Sequence, residues 1–313
     1  MIRKSHIFRK LTWMALLLAT ACVSSDKICI DSMNFDQQID VYQNLEFTFD
    51  RDLVSDSLTQ HWDSVRYLEI KPEINGRYQW SGRRTLVFSP SVPFAPNTDY
   101  TIRLRDEIAR PLPDKKAPVT EEISFHPPYL AVERSQTYWG IDETNHNNVQ
   151  LRILATFNYP VETSVASRFI SVKMDGQPVH AEMLTTGSNK EIMFSIAAPA
   201  NGSEGRQLTL TIAKGMTCIG SQRQTTRDET IDLVLPERDR LDISDVEANF
   251  EEGEGVITVY TSQPVVEQGL KAMVRTSPEV AFETSVIGNG FKLRGDFADG
   301  QTYELNVSGT LKG

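Results

Sequence analysis

Three stretches of this 313-residue chain repeat one pattern, and the repeat restricts the chain to a string of small β-domains. Each copy opens with an alternating apolar phrase: Leu45-Glu46-Phe47-Thr48-Phe49, then Leu151-Arg152-Ile153-Leu154-Ala155-Thr156-Phe157, then Val256-Ile257-Thr258-Val259-Tyr260. Each is answered by a second phrase: Tyr100-Thr101-Ile102-Arg103-Leu104, Leu208-Thr209-Leu210-Thr211-Ile212, and Tyr303-Glu304-Leu305-Asn306-Val307. The paired phrases lie 55, 57 and 47 residues apart, a span that suits one small β-domain used three times. A modular chain of this kind points to binding, spacing or assembly rather than to one enzyme core.

Charge and cysteines narrow the setting. The formal charge is −10, yet the first 21 residues carry Arg3, Lys4, Arg9 and Lys10 and no acid. The remainder holds 28 basic and 42 acidic residues, a formal −14, which repels phosphate backbones and disfavours nucleic acid as a partner. Three cysteines are too few for a disulfide framework. Cys22 belongs to an N-terminal processing site. Cys29 and Cys218 fall in different expected modules, so two unlinked thiols are expected rather than a pair.

The N-terminus reads as an address. Arg3-Lys4 and Arg9-Lys10 form a positive region ahead of the apolar run Leu11-Thr12-Trp13-Met14-Ala15-Leu16-Leu17-Leu18-Ala19. That run is shorter than the roughly 20 residues a membrane-spanning helix needs, so residues 1–21 are expected to be an export signal. Leu18-Ala19-Thr20-Ala21-Cys22 resembles the lipobox of bacterial lipoproteins, with Ala19 where leucine is more usual. The resemblance implies cleavage before Cys22, lipidation of its thiol, and a bilayer as its first partner. It places the protein in the bacterial cell envelope, on the periplasmic face or the cell surface. Ordinary signal cleavage after Ala21 is the alternative.

Turn chemistry divides the rest of the chain. Residues 22–43 are expected to be a lipid-anchored tether and lead-in strand, 44–127 a first β-sandwich, 128–237 a second and 238–313 a third. Asn75-Gly76, Ser81-Gly82, Asp175-Gly176 and Gly288-Asn289-Gly290 mark turns, the first and third of them as hairpin signals. His126-Pro127-Pro128 and Pro236-Glu237-Arg238-Asp239-Arg240 mark connectors. Strands separated by turns at this spacing predict an all-β chain of tandem antiparallel sandwiches. The third module reaches its second phrase and stops one strand short of the first, so further modules downstream of Gly313 are expected.

Two longer phrases carry a family resemblance. Trp80-Ser81-Gly82-Arg83-Arg84-Thr85-Leu86-Val87-Phe88-Ser89-Pro90, followed by Phe94-Ala95-Pro96-Asn97-Thr98-Asp99-Tyr100, resembles bacterial Ig-like modules. Val149-Gln150-Leu151-Arg152, Phe157-Asn158-Tyr159-Pro160-Val161 and Asp175-Gly176-Gln177-Pro178-Val179 look like a macroglobulin domain from the N-terminal region of bacterial alpha-2-macroglobulins. The resemblance implies Ig-like and macroglobulin-like sandwiches forming the N-terminal arm of a lipid-anchored endopeptidase inhibitor, with trapped proteases as partners of the whole protein. The family's thioester motif, Cys-Gly-Glu-Gln, is missing. Cys218-Ile219-Gly220-Ser221-Gln222 sets its glutamine four positions on, not three, and reads as a loop.

Catalytic and metal signatures are absent from the sequence. His6, His61, His126, His146 and His180 are scattered without zinc-ligand spacing, and no nucleophile elbow or phosphate loop occurs. The oxygen-rich stretch Asp142-Glu143-Thr144-Asn145-His146-Asn147-Asn148 lacks the glycine and terminal glutamate of a calcium loop and reads as a solvated loop. No enzyme, cofactor or metal is expected, and Cys22 is the sole modified residue. Tyr78 and Trp80 share a strand face and are expected in a core rather than on a sugar platform. Tyr138-Trp139 suits an inter-module contact. The competing function is a surface adhesin or glycan-binding lipoprotein.

Overall fold

The computed structural model describes residues 27–111, 117–118, 122–142, 148–199 and 206–309. The expected export signal, Cys22, most of the oxygen-rich stretch, residues 200–205 and residues 310–313 lie outside the described residues. The described chain falls into two compact units. The first comprises residues up to 37 with 42–93 and 100–125; the second comprises 38–41, 94–99 and everything from 126 onward.

The first unit is one sandwich. Its larger sheet orders β2 (Ile30–Met33), β3 (Leu45–Phe49), β7 (Thr85–Pro90), β6 (Gly76–Trp80) and β4 (Trp62–Asp63). Facing it, β8 (Tyr100–Leu104) lies between β5 (Leu68–Lys71) and β10 (Ile123–Phe125). A parallel pair, β1 (Lys27–Ile28) with β9 (Ala117–Pro118), completes the unit. Alternation drives the packing: Leu45, Phe47 and Phe49 are fully buried while Glu46 faces solvent. Tyr78 and Trp80 join that core, and burial pushes the Tyr78 phenol up to about 12.

The lead-in strand, β2, pairs with β3 in the first sandwich. One sequence expectation fails in this unit. Asn75-Gly76 is not a hairpin turn. β5 pairs with β8, whereas β6 pairs with β7 and β4, so the chain crosses between sheets at this point. Glycine is required there for clearance: a Cβ on Gly76 would sit 2.3 Å from the Phe88 ring.

The second unit holds two sandwiches. In the first of them, β11 (Val132–Ile141), β12 (Val149–Glu162), β16 (Ser188–Ala197) and β15 (Glu182–Met183) face β14 (Gln177–Val179), β13 (Ile170–Met174), β17 (Leu208–Ile212) and β18 (Glu229–Leu233). Helix α1 (Thr163–Phe169) links the sheets. Asp175-Gly176 makes the tight turn between β13 and β14, with φ of 51° and 77°, the left-handed pair that such a turn demands. The β12–β16 register breaks between Thr156 and Val161, where Pro160 has no N–H for the ladder.

In the third sandwich, β19 (Ile243–Glu251), β20 (Glu254–Thr261), β23 (Gly290–Gly295) and β22 (Phe282–Ile287) face β21 (Val274–Ser277) and β24 (Glu304–Val307). Helix α2 (Leu270–Met273) occupies the place of α1. The sequence repeat thus becomes a repeat of connectivity. In all three sandwiches the first phrase pairs with the strand before it, a short helical turn comes next, and the second phrase enters the opposite sheet.

Candidate functional site: the joint inside the second unit

Side-chain polarity is buried where the second and third sandwiches meet. Nine polar residues are buried among the described ones, and Gln136, Thr137, Thr261, Ser262 and Asn289 are five of them at this joint. Each has a partner. Asn289 Nδ2 donates to Gln136 Oε1 at 3.1 Å, the backbone N–H of Trp139 donates to the Ser262 carbonyl at 2.8 Å, and Thr137 Oγ1 donates to the Val234 carbonyl. Gln136 Nε2 and Arg134 Nε make no hydrogen bond, but the bonds that are made hold the two sandwiches in one mutual arrangement, because any other would lose them.

An ion pair sits at the centre. Arg134 of β11 bonds Glu247 of β19, lies within 3.7 Å of Asp245, and places its guanidinium carbon 4.3 Å from the centre of the Tyr260 ring. The Tyr260 hydroxyl accepts from Arg134 at 2.9 Å and donates to Glu247 Oε2 at 3.0 Å. Both faces of β20 are therefore covered: Ile257 and Val259 lie in their own core, and Tyr260 lies under the arginine.

The connector at 236–240 is pinned across this joint. Trp139 Nε1 donates to the Pro236 carbonyl at 3.0 Å, and Ser262 Oγ donates to the Arg240 carbonyl at 3.1 Å. Trp139 belongs to the core of the second sandwich, while Tyr138 approaches the Gly288 turn of the third. The inter-module contact expected of this pair is present in both residues. A cleft of about 370 Å³ runs along the joint, lined by Arg134, Gln136, Asp232, Asp242 and Asp245 among others.

A second polar knot lies in the same unit. Buried Asn97, at φ 49°, donates to the Arg223 carbonyl at 2.8 Å, accepts from the Leu130 N–H at 3.1 Å, and takes the Ser221 hydroxyl on its own carbonyl at 2.9 Å. Arg223 stacks 3.9 Å from the Tyr129 ring and pairs with Asp99 at 2.9 Å. The 218–222 stretch is the loop expected from its sequence. Cys218 is a buried free thiol, pushed up to about 11 by burial, which makes it a poor nucleophile. Cys29 is disulfide-bonded, so the two do not pair with each other, and the expectation of two unlinked thiols is corrected for Cys29.

Glu247 gives the joint a pH signature. The Arg134 hydrogen bond holds its carboxyl below the usual value of 4.5, against a smaller opposing effect of burial. A lowered folded-state pKa means the stabilisation is present above the unfolded value and is lost as pH falls through the folded one. The Glu247 side chain is 38% exposed, so solvent screening keeps the effect small. Arg134→Met is expected to cost about 1–2 kcal/mol at pH 7 and to flatten the pH dependence of unfolding below 4.5. Urea midpoints at pH 7 and pH 3 check this.

Among the described residues no three His, Cys, Asp or Glu side chains are placed to hold a metal ion, and no helix is long and apolar enough to cross a membrane. Residues 31–125 match the bacterial Ig-like domain family. That span covers β2 to β10, the first sandwich. No curated protein matches the chain. Among solved structures, native alpha-2-macroglobulin from Escherichia coli, spanning domains MG0-NIE-MG1, aligns with 91% of this chain and 97% of its own, at 12% identity and a TM-score of 0.24.

Proposed function

We propose that the chain is a non-catalytic scaffold arm, anchored in the bacterial envelope through lipidated Cys22, of an alpha-2-macroglobulin-like protease trap. The observation that carries the mechanical part is the joint. Arg134, Glu247, Tyr260, Gln136 and Asn289 fix two consecutive sandwiches in one arrangement, as a load-transmitting arm requires and a flexible tether does not. The resemblance of residues 80–102 and 149–179 to modules of that family supplies the rest, and the lipobox-like 18–22 supplies the anchor. Trapped proteases are partners of the whole protein, and the arm frames the assembly that encloses them.

The protein purified from its native envelope and treated with a broad-specificity protease should show one dominant cleavage and a decrease in hydrodynamic radius. Cleavage at many sites with no compaction would sink the trap, and binding on a glycan array would favour an adhesin instead. The anchor has its own test. Cys22→Ser should move the protein from the membrane to the soluble fraction, since acyl chains contribute about 0.8 kcal/mol per buried CH₂. Mass spectrometry of the wild-type N-terminal peptide should find a lipidated Cys22. Cys29 is disulfide-bonded and Cys218 is free, which leaves Cys22 as the chain's one remaining cysteine. Lipidation of Cys22 and a Cys22–Cys29 bond exclude each other, so that bond in the mature protein would overturn the anchor.

A further inference from the structure

The smaller sheet of the first sandwich has one uncovered edge. β5 pairs with β8, and no described strand runs along its other side. The Arg105 N–H donates to the Tyr67 carbonyl at 2.9 Å, on the β8 side. Strand alternation therefore turns the backbone N–H and carbonyl of Leu68 and Ile70 the other way. There the Tyr78 hydroxyl faces the Leu68 backbone, whereas Ile70 meets no backbone partner among the described residues.

The second sandwich shows how such an edge is covered. Its β13 lies beside β17 as β5 lies beside β8. After β13 the chain reverses at Asp175-Gly176 and lays β14 antiparallel along the other side. After β5 it turns instead into β6 of the facing sheet. A groove of about 490 Å³ runs where β14 would lie, and buried Leu68, Ile70 and Tyr78 give it an apolar lining.

Charge sets this groove apart from the rest of the chain. Its lining holds Arg66, Lys71 and Arg105 against Glu69 and Glu73, whereas the chain beyond residue 21 carries 28 basic and 42 acidic residues. Arg66 pairs with Glu73 and Lys71 with Glu69, each at 2.9 Å. Arg105 is half-buried and, among the described residues, forms no ion pair.

We propose that this groove accepts an extended acidic segment of a partner polypeptide, seated antiparallel to β5 with its backbone on Ile70 and a carboxylate on Arg105. The direction follows from β14, which is antiparallel to β13. Backbone bonds along the edge supply affinity for any extended chain, and the guanidinium of Arg105 supplies the preference for acid. This inference does not depend on the protease-trap reading.

The test titrates the full chain with two synthetic hexapeptides, one alternating glutamate with valine and one alternating lysine with valine. The glutamate peptide should bind about tenfold more tightly or better, and its affinity should fall as salt rises. It should also slow amide exchange at Ile70 by about tenfold or more. Arg105→Gln should remove most of that preference and leave thermal unfolding of the peptide-free protein unchanged, because Arg105 has no ion pair to lose. Arg105→Glu should invert the preference in favour of the lysine peptide. Equal binding of the two peptides, no binding of the glutamate peptide, or an unchanged exchange rate at Ile70 overturns the proposal. So does an Ile70 amide already as protected in the peptide-free protein as that of Glu69, which bonds to β8. In that case a second copy or this chain itself covers β5, and sedimentation tells those two apart.

Discussion

Trp80→Ala is expected to destabilise the first sandwich strongly while leaving the second unit's stability unchanged. Trp80 is 1% exposed, with its ring centre 6.0 Å from Phe49 and 5.6 Å from Tyr67. Removing an indole from such a site forfeits its transfer free energy and leaves a cavity, together about 3–5 kcal/mol. A domain of this size has a total stability of about 5–15 kcal/mol, so a large share of its margin disappears. The second unit has cores of its own, one around Leu151, Ile153 and Phe194 and one around Ile257, Phe291 and Leu293. Thermal unfolding should therefore show one transition lowered by roughly 10 °C or more and the other unmoved. Trp80→Phe, which keeps most of the volume, should cost less than half as much. A shift under about 1 kcal/mol for Trp80→Ala would mean the ring is not the keystone of that core. The same burial removes Trp80 as a stacking platform for sugars, so its loss acts through stability and not through binding.

Local rules made much of this fold legible and hid the joint. The alternation of Leu45, Phe47 and Phe49 determines β3 because one face must be dry, and that constraint acts within five residues. Asp175-Gly176 gives its turn because the required φ values are properties of those two residues. Asn75-Gly76 carries the same kind of dipeptide signature and misleads. The partner of β5 is β8, some thirty positions on, and the glycine answers to the ring of Phe88. Long-range demands of this kind leave no local pattern.

The polar joint is the extreme case. Glu133-Arg134-Ser135-Gln136-Thr137 reads as a solvated strand face, yet Gln136 meets Asn289 from 153 positions away. Arg134 meets Glu247 and Tyr260 over similar distances. Only Tyr138-Trp139 announced the contact, because two large aromatics beside a connector are costly to leave wet. Buried polarity of this sort adds little net stability. Its effect is to exclude alternative arrangements of the two sandwiches.

Gly290→Ala should strike the third sandwich and the joint together. Gly290 opens β23 opposite Tyr260, at a φ of 146° that L side chains rarely adopt. A Cβ there would sit 2.0 Å from the Val259 carbonyl oxygen and 3.0 Å from the Tyr260 Cα, both backbone atoms of the paired strand, so no side-chain rotation relieves the clash. Strained backbone and overpacking each cost about 1–3 kcal/mol, so a total of about 3 kcal/mol or more is expected. The strand that must shift carries Tyr260, and the turn that must shift carries Asn289, so the Arg134 and Gln136 contacts are disturbed at the same moment. Urea unfolding of the second unit should show the full loss. Amide exchange should speed up at Trp139, whose N–H is held by Ser262 across the joint. Gly82→Ala is the matched control: no atom lies within 4 Å of its added Cβ, and it should change stability by about 0.5 kcal/mol or less. Equal effects at the two glycines would show that flexibility rather than the close approach to Val259 determines the cost. A loss confined to the third sandwich, with Trp139 exchange unchanged, would show that the joint holds independently of the turn that carries Asn289.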